Sequence, residues 1–163
     1  MILRSTKKLA QKLKIKTLSD TEIKISAFEE WYGHLFVENR AQYILLTNAY
    51  SLYSVVFPGR GILNLKSFSE ISRFWLAEML TYEGCSNLIG RFVIQDLEVI
   101  DTYKTNNRGI VGSMNDMIAC AKYYLSEFQM PLLEISVRLN QTPYSYLDNF
   151  NHPLNVIKKL ALS

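Results

Sequence analysis

His34-Leu35-Phe36-Val37-Glu38-Asn39-Arg40-Ala41-Gln42-Tyr43-Ile44-Leu45-Leu46-Thr47-Asn48-Ala49-Tyr50-Ser51-Leu52-Tyr53-Ser54-Val55-Val56-Phe57 holds three runs rich in aromatic and branched side chains. They are His34 to Glu38, Gln42 to Thr47 and Ser51 to Phe57, each of strand length. Asn39-Arg40-Ala41 and Asn48-Ala49-Tyr50 are short enough for hairpin connections, and Pro58-Gly59-Arg60-Gly61 ends the run. The expectation is an antiparallel meander over residues 34–57.

Outward from the meander, the periodicity changes from two to 3.6. Phe68, Ile71, Trp75, Met79 and Tyr82 recur at helical spacing, with Ser67 as a cap and Gly84 as a stop, which predicts a helix over 66–83. Met114, Ile118, Ala121, Leu125 and Phe128 form a second stripe, and Ser113-Met114-Asn115-Asp116 has the S-x-x-[DE] form of a capping box, predicting a helix over 113–128. Pro131 and Pro153 are placed to open two further helices. Phe28 to Tyr32 reads as a helical turn stopped by Gly33. Met1 to Arg4 and a segment near 98–105 read as additional strands, and Ile89 to Ile94 fits either a strand or a helix. Together these predict an α+β fold: an antiparallel sheet from the meander plus strands near 1–4 and 98–105, packed by helices 66–83 and 113–128. No repeat or linker divides residues 1–163, so one domain is expected.

Composition narrows the function classes. The chain has 163 residues, 48% hydrophobic and 20% charged, the profile of a globular protein rather than a disordered one. Its net charge of +3 is uneven. Arg4, Lys7, Lys8, Lys12, Lys14 and Lys16 precede the first acidic residue, while the remainder holds 12 basic and 15 acidic side chains. That pattern suits a local anionic contact more than a basic groove encircling the molecule; a solvated helix face is the plainer alternative. Cys85 and Cys120 have no CxxC spacing, which fits a reducing cytoplasm. Lysines interrupt the N-terminal apolar residues, so no secretory leader is expected, and no apolar run is long enough to span a membrane. With two histidines, no metal site and no cofactor is expected, and the phosphate-loop, dinucleotide-fold, serine-hydrolase and HExxH patterns do not occur.

The densest polar run is Tyr103 to Asp116, which feeds a helix. Lys104, Asn106, Asn107 and Arg108 crowd upstream of Ser113 and Asn115. A polar loop leading into a helix N-terminus aims backbone N–H groups one way and adds positive potential, conditions that suit an anion. Thr6, Lys7 and Lys8 repeat the arrangement at the first helix start. The candidate ligand-binding residues are therefore Lys104, Asn106, Asn107, Arg108, Ser113, Asn115, Thr6, Lys7 and Lys8. No catalytic residue is assigned. A binding module for a phosphate, nucleotide or nucleic acid is the leading expectation. The alternatives are a small RNA-cleaving enzyme of the toxin kind and a protein–protein adaptor, the latter implying a protein partner.

Several blocks resemble one known family. Met1-Ile2-Leu3-Arg4 followed by Thr6-Lys7-Lys8-Leu9 is similar to its opening, Tyr43 to Asn48 and Ser54 to Gly59 to its meander, and Leu139 to Pro143 to a stretch near its end. Thr105-Asn106-Asn107-Arg108 with Gly112-Ser113-Met114-Asn115-Asp116 resembles its central signature. It is a bacterial domain-of-unknown-function family. The resemblance implies a small α+β domain and a bacterial source, and it supplies no reaction or substrate.

Overall fold

The computed structural model describes residues 1–22, 24, 26–92 and 101–163. Strand β1 (Ile2–Ser5) leads into helix α1 (Lys7–Lys12), followed by β2 (Glu30–Glu38), β3 (Ala41–Asn48) and β4 (Ser54–Pro58). Helix α2 (Leu65–Tyr82), the short α3 (Ile89–Phe92) and β5 (Asp101–Lys104) come next. Helices α4 (Arg108–Phe128), α5 (Leu132–Gln141) and α6 (Pro153–Ala161) complete the chain. The fold is α+β, with one five-stranded sheet in the order β4-β3-β2-β1-β5. Residues 98–100 of the expected strand and residues 93–94 of the ambiguous segment lie outside the described residues.

The meander forms as read, but the sheet is mixed rather than wholly antiparallel, because β1 pairs in parallel with both β2 and β5. A parallel pair needs a long crossover, and residues 6–29 provide one between β1 and β2. The helical turn expected at Phe28 to Tyr32 is instead the start of β2. Gly33 does not stop it; it lets α1 approach the sheet, since a Cβ there would meet Leu9 Cδ2 at 2.5 Å.

Alternation along each strand divides two apolar cores. Leu3, Trp31, Ile44, Leu46, Val55 and Phe57 face Leu9 and Leu13 of the first helical segment, Phe68 and Leu76 of α2, and Ile157 of α6. Tyr32, Phe36, Leu45 and Val56 face Ile110, Met114 and Met117 of α4 and Ile135 and Leu139 of α5. Burial on both faces explains why Ile44-Leu45-Leu46 and Val55-Val56-Phe57 are unbroken apolar runs.

Two helix starts differ from the sequence reading. α2 begins at Leu65 with Asn64 as its cap; Ser67 is the reciprocal partner three residues on, its N–H donating to Asn64 Oδ1 at 2.9 Å. Its buried stripe is Phe68, Ser72, Leu76 and Met79, leaving Ile71 and Trp75 half-buried and Tyr82 exposed. α4 begins at Arg108, five residues before the expected start, and its cap is Asn107. Ser113 caps nothing: its hydroxyl donates to the Gly109 carbonyl at 3.0 Å inside the helix. Gly109, read as a loop residue, is helical, and lacks a Cβ where the Tyr146 ring packs; a Cβ would lie 2.7 Å from Cδ2 of that ring.

The outer edge of β4 is covered by side chains of α5. Ser54 N–H donates to Asn140 Oδ1 and Asn140 Nδ2 donates to the Ser54 carbonyl, both at 2.8 Å. Val56 N–H donates to Ser136 Oγ at 2.9 Å, and the next outward position is Pro58, which has no N–H. The edge is thus closed to further strand pairing.

Candidate functional site

The site follows from the two parallel pairings of β1. Ser5 and Lys104 end neighbouring strands in register. After Ser5 the chain enters α1 on the face that holds Leu3. After Lys104 it enters α4, which packs on the opposite face against Tyr32 and Phe36. Connections that leave adjacent parallel strands to opposite faces part at the carboxyl ends and leave a crevice, the usual ligand position in open α/β sheets.

Two hollows occupy that crevice and share Thr105. One, of about 550 Å³, is lined by Ser5, Lys7, Gln11, Lys16, Lys104 and Thr105, with Ala10, Ile15 and Leu18 as an apolar wall. The other, of about 360 Å³, is lined by Thr105, Asn106, Asn107, Arg108, Val111, Gly112 and Asn115. The structure therefore brings Lys7, Lys104, Asn106, Asn107, Arg108 and Asn115 to one end of the sheet. Thr6 sits between, its N–H donating to the Gly33 carbonyl at 3.1 Å and its buried Oγ1 without a partner among the described residues. Lys8 and Ser113 line neither hollow; Lys8 is exposed on α1 and Ser113 is buried in α4.

Not every polar group there is available. Asn107 Oδ1 accepts from Gly109 N–H at 3.0 Å and Ile110 N–H at 3.2 Å, and its Nδ2 donates to Tyr146 Oη at 3.0 Å. Its amide is spent on the cap and on fixing Tyr146. Lys104 Nζ lies 2.7 Å from Asp20 Oδ2 in an exposed pair of small energetic weight. Lys7, Arg108 and the Nδ2 of Asn106 donate to no side chain or carbonyl among the described residues. They remain free to meet a ligand.

The sequence reading missed the groups beneath the crevice. Arg4, counted there within the basic N-terminal run, is buried on β1. It pairs with Glu30, donates to the Lys104 carbonyl at 2.9 Å, and stands 5.6 Å from the Tyr103 ring centroid. Arg4 thus ties β5 to β1 and β2 and is no part of an exposed patch. Tyr32, buried in β2, donates its hydroxyl to Asn106 Oδ1 at 2.6 Å. Burial, then the nearby Glu30, pushes the phenol up to about 12, so it stays a neutral donor through the physiological range. With Oδ1 held by the Tyr32 hydroxyl, the Asn106 amide keeps both N–H donors for the crevice. The sequence reading puts Arg4 on a strand but Tyr32 in a helical turn, and their meeting across β1 and β2 needs the parallel register, which the sequence does not reveal.

His34 is half-buried, with Nδ1 3.2 Å from the Leu35 carbonyl oxygen. Burial lowers its basicity, the Leu35 carbonyl partly opposes this, and Lys8 and Lys122 lower it further. Among the described residues, no cluster of three or more His, Cys, Asp or Glu could hold a metal ion, and no helix is long and apolar enough to cross a membrane. What the crevice offers is a set of donors: an ammonium at Lys7, a guanidinium at Arg108 and an oriented amide at Asn106. Such a set suits an oxyanion.

Residues 2–155 match the model of a family described as a domain of unknown function, DUF6933. No curated protein and no solved structure matches the chain.

Proposed function

We propose that this chain, which belongs to the DUF6933 family of domains of unknown function, binds an anionic ligand in the crevice at the carboxyl ends of β1 and β5. The observation that supports this reading above all is the divergence of α1 and α4 from neighbouring parallel strands, with Lys7 and Arg108 at the two starts. A loop that only stabilised α4 would need Asn107 alone. The additional donors, and the buried Tyr32 that orients Asn106, are what a binding role explains. A phosphate group is the ligand chemistry that fits best, carried by a nucleotide or by a nucleic-acid backbone. The reading goes with a bacterial, cytoplasmic setting, in keeping with the unpaired thiols of Cys85 and Cys120.

Titration of the isotope-labelled protein with inorganic phosphate, an adenosine monophosphate and a short single-stranded oligonucleotide tests it. Amide shifts should centre on residues 105–109 and Lys7. Oligonucleotide affinity should fall with salt at a log–log slope of about −0.7 per phosphate contacted. Arg108→Ala and Lys7→Ala should each weaken binding while changing stability by no more than about 0.5 kcal/mol. If none of the three probes shifts the crevice at low salt, the binding reading fails.

A further inference from the structure

We infer that the protein has a second ligand site, at the other end of α4, for a small organic anion that joins an acidic group to an apolar or aryl body. Leu125 lies 17 residues after Arg108 on this helix, about 25 Å along its axis. There the β2–β3 turn, the turn after β4 and the α4–α5 link enclose an open hollow of about 710 Å³. It is larger than either hollow of the crevice. Arg40 and Arg60 line it together with Leu125, Met130, Leu132 and Tyr43. Tyr43 is half-buried and stacked on Phe36, ring centroids 5.5 Å apart, which gives the hollow a rigid aromatic wall.

Charge complementarity decides the occupant. None of the residues that line the hollow is acidic, and among the described residues neither arginine makes an ion pair. Both sit on tight turns that fix where their side chains begin. Asn39 and Arg40 are at φ 49° and 64°, in a two-residue turn whose second position favours glycine, so arginine is held there at a conformational cost. Arg60 stands between Gly59, whose N–H donates to the Gln42 carbonyl at 2.8 Å, and Gly61 at φ 84°. Two arginines thus border a hollow whose remaining lining is largely apolar. A carboxylate or sulfonate would meet the guanidinium forks, and an aryl body would cover Tyr43, Met130 and Leu132.

The test uses 2-naphthoate as the probe, with 2-naphthalenemethanol as its uncharged counterpart, titrated into the isotope-labelled full chain. Naphthoate should shift resonances of Arg40, Tyr43 and Leu132 and leave those of Lys7 and Arg108 in place. The double variant Arg40→Gln/Arg60→Gln, with an unchanged melting temperature, should bind naphthoate roughly tenfold more weakly and the alcohol equally well. Equal affinity of the two probes for the original protein, shifts confined to the crevice, or no shift at millimolar probe would each overturn the proposal. So would binding of a short peptide with an apolar C-terminal residue where naphthoate does not bind, which would assign the hollow to a protein partner. Because the readout residues differ from those of the crevice, failure here leaves the crevice reading standing, and the reverse.

Discussion

Replacing Asn140 by alanine should be among the most damaging single changes in the chain. Its amide closes both outward backbone groups of Ser54 at 2.8 Å, and both residues are fully buried. Alanine leaves an N–H and a carbonyl without their protein partners. Each orphaned buried group costs about 1–3 kcal/mol, so the pair costs roughly 2–6 kcal/mol. Alanine returns about half a kcal/mol through better helix propensity in α5. The net loss is about 1.5–5.5 kcal/mol, which at about 3 °C per kcal/mol lowers the melting temperature by roughly 5–16 °C in a chain of this length. Ser136→Ala exposes one such defect, at Val56 N–H, and should cost about 1–2 kcal/mol. Calorimetry gives the stability, and hydrogen exchange at the Ser54 amide should lose protection in Asn140→Ala before neighbouring amides do. A loss below about 1 kcal/mol, or an unchanged Ser54 amide, would refute the argument that α5 closes the β4 edge.

Two other substitutions test the structure directly. Asn107→Ala removes the α4 cap and should cost about 0.5–2 kcal/mol, whereas Ser113→Ala should stay within about 0.5 kcal/mol of the original; a reversed ranking in thermal melts would restore a helix start at Ser113. Glu83 is half-buried with Oε1 unpaired among the described residues, and burial raises its carboxyl above the ordinary glutamate range despite Lys158. The folded state therefore keeps that proton to higher pH than the unfolded chain, and folding weakens as pH rises from the ordinary value through the raised one. Glu83→Gln should raise the melting temperature at neutral pH, with the gain fading as pH falls below the ordinary glutamate value; a gain that grows in acid would contradict this sign.

The sequence by itself determined the local elements and the location of the polar signature. The meander strands, the helical stripes of α2 and α4, the proline-opened α5 and α6, and the run from Lys104 to Arg108 all follow from contacts between near neighbours in the chain. Propensity and periodicity record such contacts. What tertiary structure decided was long-range. Gly33 read as a stop and Gly109 as part of the polar loop, yet each is a place where another element comes too close for a Cβ: Leu9 in one case, Tyr146 in the other. Arg4 read as part of a basic patch, yet β1 lies between β2 and β5 and buries it against Glu30. Asn140 carries no distinguishing local signal, yet it pairs with a strand 86 positions away in sequence. The crevice itself exists because β1 is parallel to both neighbours and the helices after β1 and β5 take opposite faces. Strand direction depends on how the intervening chain packs, and no single stretch of residues encodes it.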